Sequence, residues 1–213
     1  MSSFHRLALS LKKFLQLISN QILTTQIKQL SSIQAVSRLL NGFVQMTSNT
    51  TRIADFISAY FFELGIRNVY SLPGGGAMHL IDAFTKHQGL NHISFFHEQA
   101  ASVAAESAAR TADNEVAVCC VTTGPGATNA ITAVAGAWIE STPLIIISGQ
   151  VKRADMLEGR KLRQTGVQEV EITKLVDSIT KYACVIKDPY DTLYILQRAF
   201  YEATSGRKGP VWI

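Results

Sequence analysis

The sequence contains no apolar run long enough to cross a membrane, since no stretch approaches the roughly 18 uninterrupted apolar residues that a spanning helix needs. It has only three cysteines, Cys119, Cys120 and Cys184, and their spacing is not that of metal ligands. An odd number of cysteines in apolar surroundings is typical of buried thiols in a reducing compartment. We therefore expect neither membrane insertion nor a fold built on disulfides.

Acidic residues are absent from the first 54 positions, which carry six Lys or Arg residues. The net charge of +4 belongs to this segment, because the remaining chain has 14 basic and 16 acidic residues. The part of the chain that is expected to fold therefore gives no electrostatic reason to predict nucleic acid as a partner.

Residues 1–50 combine apolar positions with basic and serine residues in an amphipathic, acid-free pattern. Such a leader is typical of a mitochondrial or plastid transit segment. It could equally be an upstream extension of a protein whose functional start is Met46. A helix that docks on a surface is the remaining, less favoured alternative. The localisation that we predict is organellar for a transit segment and cytoplasmic for an extension.

From residue 51 the pattern predicts alternating helices and strands. Helices are predicted from about residue 52 to Leu64, Ala77 to Lys86, Glu98 to Arg110, Ala130 to Trp138 and Tyr190 to Ser205, and strands at "NVYSL", "HISFF", "VAVCCV", "PLIIIS" and "GPVWI". Repeats of about 22 to 25 residues are typical of crossover units that build a parallel sheet. We predict an α/β domain over residues 51–213, with a parallel sheet flanked by helices on both faces. The polar stretch 151–171 predicts a long surface loop.

Three segments directly follow predicted strands: "PGGG", "HEQ" and "TTGPGATN". Ligands of parallel sheets bind outside the carboxyl ends of the strands, where loops gather and helix N-termini present free N–H groups. We therefore expect a binding site at this edge. A dinucleotide site is disfavoured, because Asn129 stands where the third glycine of G-x-G-x-x-G belongs, and no G-x-x-x-x-G-K-[ST] phosphate loop occurs.

Five motifs follow one another between about residue 52 and the last residue: "LPGGGAMHLIDAF", "HEQAASVAAESAAR", "TTGPGATNAITAVAGAW", "STPLIIISGQV" and "VQEVEITKLVDSITK". Together they resemble the N-terminal, pyrimidine-binding domain of thiamine-diphosphate-dependent enzymes, in particular the acetolactate-synthase-like group. The resemblance implies part of a homodimeric or tetrameric transferase or lyase that decarboxylates and joins 2-keto acids, as in branched-chain amino acid biosynthesis.

The resemblance assigns Glu98, in "HEQ", to the aminopyrimidine ring of the cofactor, whose N1′ atom it would hydrogen-bond. Burial disfavours the ionised form of a carboxyl group, so such a group can share a proton with N1′ and promote loss of the proton from thiazolium C2. By residue type alone, Glu98 could instead be an acid that the helix dipole favours in a first turn. The apolar neighbours Phe95, Phe96, Ala100 and Ala101 would suit an enclosing pocket.

The other candidate site residues also follow from the resemblance. Cofactor-binding candidates besides Glu98 are Pro73, Gly74, Thr123, Gly124 and Asn129. For the last three, a turn and a helix cap are the alternative explanation. Gln168, in "VQE", resembles a substrate-side glutamine and is a second catalytic candidate, although Val167 stands where acetolactate synthases have phenylalanine. Gln150 and Gln164 are weaker candidates.

No "GDG" segment occurs in the sequence, although the family uses one to bind the diphosphate and Mg²⁺. We therefore assign no metal ligand here and expect those ligands in a C-terminal domain, with FAD as an optional cofactor of a middle domain. On this interpretation the chain is truncated and inactive alone. Two alternatives stay open: another thiamine-diphosphate decarboxylase, oxidase or C–C lyase, and a non-catalytic relative that acts as an interaction partner.

Overall fold

A single parallel sheet organises the computed structural model, which describes residues 51–111 and 116–213; the predicted leader lies outside them. The strands in this part are β1 (Asn68–Ser71), β2 (Asn91–Ser94), β3 (Ala117–Val121), β4 (Leu144–Ser148), β5 (Tyr182–Ala183) and β6 (Val211–Trp212). Their order across the sheet is β2-β1-β3-β4-β6-β5, and every neighbouring pair is parallel. The predicted α/β fold is confirmed.

The helices of the described ranges connect these strands. They are α1 (Ile53–Glu63), α2 (Met78–Lys86), α3 (Glu98–Thr111), α4 (Pro125–Asn129), α5 (Ile131–Glu140), α6 (Ile172–Val176) and α7 (Thr192–Thr204). Short 3₁₀ turns lie at Gly75–Ala77, Arg153–Asp155, Asp177–Ile179 and Pro189–Asp191. Across residues 51–111 and 116–213, no helix has the length and apolar character that a membrane crossing requires.

The sheet carries a separate hydrophobic core on each face. Along β3, Val118 and Cys120 point into the first core, whereas Cys119 and Val121 point into the second. Helices α1, α2 and α7 supply the first core, through residues such as Phe61, Phe84 and Leu196. Helices α3, α5 and α6 supply the second, through residues such as Ala105, Val134 and Val176. The prediction of helices on both faces is therefore confirmed.

Three short elements were not predicted. Helix α4 lies inside the predicted loop "TTGPGATN", because Pro125 occupies a first-turn position for which its fixed φ is suited. Helix α6 and strand β5 have five and two residues, too few for a hydrophobic period to mark them. Strand β5 exists through its pairing with β6, a contact between distant parts of the chain.

The predicted long surface loop is confirmed between β4 and α6. Apart from the turn at Arg153–Asp155, it has neither helix nor strand, and most of its residues are exposed. Three of its residues, Gly149, Gly166 and Glu169, are buried. The loop leaves the sheet at the same edge as the segments that follow β1 and β3, because parallel strands all end at one edge.

Candidate functional site

The segments that follow β1, β3 and β4 meet at the carboxyl edge of the sheet. The Gly76 N–H, after β1, donates a 3.0 Å hydrogen bond to Thr122 Oγ1, after β3. The Gly149 N–H, after β4, donates to the Val121 carbonyl at 2.9 Å. The predicted convergence of the "PGGG" and "TTGPGATN" segments is therefore a direct contact.

Glu98 lies at this edge as the first residue of α3, and only 8% of its surface is exposed. Its Oε2 accepts a 2.9 Å hydrogen bond from Asn129 Nδ2, at the end of α4. No hydrogen bond to Oε1 is found within the part of the chain that the structure describes. A buried carboxylate with one oxygen held by an amide and one left for another donor is suited to bind a protonated ring nitrogen.

Gly126 leaves the space in which the Glu98 carboxylate lies. A Cβ atom at this position would come within 2.9 Å of Glu98 Oε1 and 2.5 Å of Thr122 Cγ2. Both distances are shorter than ordinary van der Waals contacts, so a larger residue here would displace the Glu98 carboxylate or the Thr122 side chain. Because Gly126 has no side chain, the backbone of α4 can approach the start of α3 closely. This approach allows Asn129 to hydrogen-bond Glu98.

Thr122 is a site residue that the sequence did not single out. Besides accepting from Gly76, its side chain lies where a Cβ at Gly74 would come within 2.5 Å of Thr122 Cβ. The Thr122 side chain therefore packs between the turn after β1 and helix α4. The resemblance points instead to its neighbour Thr123, which is buried and packs its methyl group toward Gly76.

The immediate apolar surroundings of Glu98 differ from the expectation. Ala101 is fully buried, and Phe95 packs partly buried against the same core and lies 6.2 Å, centroid to centroid, from Tyr70. In contrast, Phe96 is 104% exposed and Ala100 is also exposed. Phe96, in the bend before α3, and Ala100, on the outer side of α3, therefore form no wall of a pocket within the described residues.

Gln168 reaches the site through its backbone. Gly124, with φ +60°, lies so close to the Gln168 carbonyl that any side chain at position 124 would overlap it. Gln168 itself has φ +59° and is exposed, as is Val167. Gln150 accepts from the neighbouring Val151 N–H at 2.8 Å, which is a local structural contact, and Gln164 is exposed.

Pro73 and Gly74 line a shallow groove of about 570 Å³ that runs along α2. The groove also touches Met78, Asp82 and Lys86. Pro73 is exposed and Gly74 is half-buried. Neither Glu98 nor Asn129 lines this groove, and Gly74 is connected to the site through its close approach to Thr122.

Histidines at this edge make structural contacts. His92 bridges Ser71 Oγ and Thr85 Oγ1, at 2.5 Å and 3.3 Å, and burial lowers its pKa. The Nδ1 atom of His97 accepts the Gln99 N–H at 3.1 Å and so caps the start of α3. Neither histidine shares a hydrogen bond with Glu98 in the described residues.

Comparison with known proteins identifies relatives of the whole region. A family model described as "Thiamine pyrophosphate enzyme, N-terminal TPP binding domain" matches residues 51–175. Acetolactate synthase isozyme 3 large subunit of Escherichia coli (strain K12) is 38% identical over 158 residues, and acetolactate synthase 3, chloroplastic, of Brassica napus is 34% identical over 195 residues. The acetolactate synthase large subunit of Lactococcus lactis is 38% identical over 151 residues.

These alignments cover 74%, 84% and 71% of this chain, but only 26%, 29% and 25% of the three relatives. The chain therefore spans about a quarter of the length of the curated relatives that it matches.

Proposed function

The chain belongs to the family of thiamine pyrophosphate enzymes, as an N-terminal TPP-binding domain, and on that premise we propose that it serves a 2-keto-acid-converting enzyme of the acetolactate synthase type. The relatives at 34–38% identity, all named acetolactate synthases, support this reaction class. When bound, thiamine diphosphate supplies a nucleophilic carbon and an electron sink for decarboxylation and carboligation. The residues of this domain act on the aminopyrimidine end of that cofactor.

The buried Glu98 carboxylate is the observation that carries the proposal. Held by Asn129 at Oε2, it would hydrogen-bond N1′ of the aminopyrimidine through Oε1 and hold or release a proton there. Burial of Glu98 keeps it away from bulk water, which strengthens such a bond. Thr122 and Gly126 shape the space around it, and Gly74 packs against Thr122.

The rest of the proposed site lies outside this domain. We propose that the diphosphate and its Mg²⁺ are bound by other regions of the enzyme, and that two or four copies of the domain associate. The apolar side chains Phe96, Val103 and Ile139, exposed on or beside α3 and α5, support such association. The visible absorbance of the purified complete enzyme would show whether it carries a flavin.

Substituting Glu98 by glutamine in the complete enzyme tests the proposal. We expect pyruvate turnover to fall by about 10² to 10⁴, because a general acid–base group contributes that much, while fold and oligomer persist. Glu106→Gln is the matched control, since Glu106 is 7% exposed on the same helix but bonds Arg110 and Thr142 instead. It should retain turnover per folded molecule.

Undiminished turnover in Glu98→Gln would remove this residue from its proposed role. Product identification with pyruvate separates the reaction classes: acetolactate supports the proposal, whereas acetaldehyde or acetate would indicate a decarboxylase or an oxidase of the same superfamily. Thiamine diphosphate binding without turnover in the complete protein would favour the non-catalytic interaction partner.

A further inference from the structure

A second buried carboxylate, Glu169, lies in the loop between β4 and α6 and has no part in the chemistry proposed above. Only 8% of its surface is exposed, although its neighbours Gln168 and Glu171 are exposed. Charged side chains are rarely buried unless they have partners. The contacts of this carboxylate therefore need an explanation.

Backbone amides supply all the contacts that the structure shows for the Glu169 carboxylate. Oε1 accepts from the Leu157 N–H at 2.5 Å, and Oε2 accepts from the Thr165 and Gly166 N–H groups at 3.0 and 3.1 Å. Leu157 lies twelve residues before Glu169, so one side chain connects the two ends of the intervening segment. In a loop without strand pairing, these bonds take the place of secondary structure.

The electrostatics agree with this geometry. Burial alone would raise the pKa of the Glu169 carboxyl group, but the bonds from Leu157, Thr165 and Gly166, together with the charge of Arg160, hold the pKa below its usual range. The carboxylate is therefore ionised at neutral pH, and its bonds to the amides are charge-assisted.

The segment that Glu169 holds also touches the site. Gln168, the preceding residue, presses its carbonyl against Gly124, and both residues have positive φ values, of +59° and +60°. A non-glycine residue adopts such a φ only where its surroundings impose it. At the other side of the loop, Gly166 packs on Val151 so closely that a Cβ atom would lie 2.6 Å from Val151 Cβ.

We propose that Glu169 is a positioning residue, whose carboxylate gathers the amides of Leu157, Thr165 and Gly166 and thereby holds the Gln168 carbonyl against Gly124. The loop then forms a fixed wall against Gly124, at the start of α4, the helix whose Asn129 donates to Glu98. The importance of this wall for catalysis rests on the proposed function. The existence of the wall is independent of that function.

Trypsin tests the proposal on the chain as it stands, because Arg160, Lys161 and Arg163 are exposed within the held segment. In Glu169→Gln, a neutral amide that presents only one acceptor oxygen faces three N–H donors, so cleavage at these sites should accelerate by about tenfold or more. Glu171→Gln is the matched control, since Glu171 is an exposed glutamate two residues away that bonds Lys174. It should be cleaved at the wild-type rate.

Equal cleavage of the two variants would overturn the proposal. A measurement on the wild-type protein keeps the test independent of whether Glu169→Gln folds: the Leu157, Thr165 and Gly166 amides should be protected from hydrogen exchange, and free exchange at all three would also overturn it.

The positioning role has its own readout in the amide resonance of Gly124, recorded by NMR. It should shift in Glu169→Gln and stay in place in Glu171→Gln, because only the first change releases the Gln168 carbonyl. If cleavage accelerates in Glu169→Gln while the Gly124 resonance stays in place, Glu169 stabilises only its own loop. That result would contradict the proposed positioning of the Gln168 carbonyl. None of these measurements involves the cofactor, so their failure is distinct from a failure of the Glu98 test.

Discussion

Thr122 links three parts of the site with one small side chain. Its hydroxyl oxygen accepts from Gly76, its Cβ fills the space beside Gly74, and its methyl group lies against Gly126, next to the Glu98 carboxylate. A threonine at this position thus serves both as a hydrogen-bond acceptor and as a spacer. The two roles can be separated by substitution, because valine keeps the shape and serine keeps the hydroxyl group.

We predict that Thr122→Val weakens thiamine diphosphate binding by about three- to tenfold, because the Gly76 N–H loses an acceptor worth about 1 kcal/mol and the turn after β1 is less well fixed. Thr122→Ser should bind within about twofold of wild type, since it retains the hydroxyl oxygen. Titration calorimetry on the complete enzyme measures both. The assigned acceptor role would be contradicted if Thr122→Val bound the cofactor as tightly as wild type. It would also be contradicted if Thr122→Val and Thr122→Ser lost the same amount of affinity.

At the residue scale, the sequence pattern predicts the binding edge of the sheet, but the choice of Glu98 rests on the resemblance of the "HEQ" segment, because by residue type alone it could be an acid that the helix dipole favours in a first turn. The sequence could not distinguish Thr122 from Thr123, because two adjacent threonines after β3 differ only in the direction in which their side chains point. Nor could it show that Gln168 contacts Gly124 through its carbonyl, because a positive φ in a non-glycine residue leaves no mark in the sequence.

Strand β3 places two adjacent thiols in different cores. Cys119 packs with α3 and α5, whereas Cys120 packs with α1, α2 and α7. Burial raises the pKa of the Cys120 thiol to about 12, and burial, with the nearby charges of Cys120 and Glu98, raises the pKa of Cys119 well above its ordinary range. A protonated, buried thiol is a poor nucleophile.

We expect one of the three thiols, Cys184, to react with a disulfide reagent such as DTNB at pH 8 in the folded protein, because it is only half-buried. Cys119 and Cys120 should react only after unfolding in guanidinium. Cys184→Ser should abolish the fast phase and leave the slow one. Two or three fast thiols in the native protein would contradict the burial of β3.

Among the elements, those with a full hydrophobic period were predicted within a few residues. Helix α3, predicted from Glu98 to Arg110, is observed to Thr111, and α7 is observed within the predicted range. The short strand β5 depends on a contact from elsewhere in the chain, since it pairs with β6 across an intervening helix. Helix α4 has only five residues, too few for a hydrophobic period to mark it. Local patterns carry no information about such partners.

For the molecule as a whole, the two cores share one sheet and should unfold together. Strands β3 and β4 contribute alternate residues to both cores, for example Ile145 to the first and Ile146 to the second. Loss of packing on one face therefore weakens the support of the other.

We predict that Phe84→Ala, in the first core, lowers the free energy of unfolding by about 3 to 5 kcal/mol, because the ring is fully buried and its loss leaves a cavity. Val134→Ala, in the second core, should cost about 1.5 to 3 kcal/mol. Urea denaturation should show a single transition in both variants.

Phe96→Ala is the control, since this ring is fully exposed and its removal should cost less than about 0.5 kcal/mol in dilute protein. Separate transitions for the two cores would show that the sheet does not couple them.

The strand order has a consequence for where any ligand can enter. The chain passes from β1 outward to β2 and then returns across β1 to β3, so the loops after β1 and β3 leave the sheet in opposite directions. A crevice at such a topological switch point is created by the winding of the backbone alone. Substitution of side chains can therefore change which ligand binds in the crevice. The location of the crevice stays the same for as long as the fold is kept.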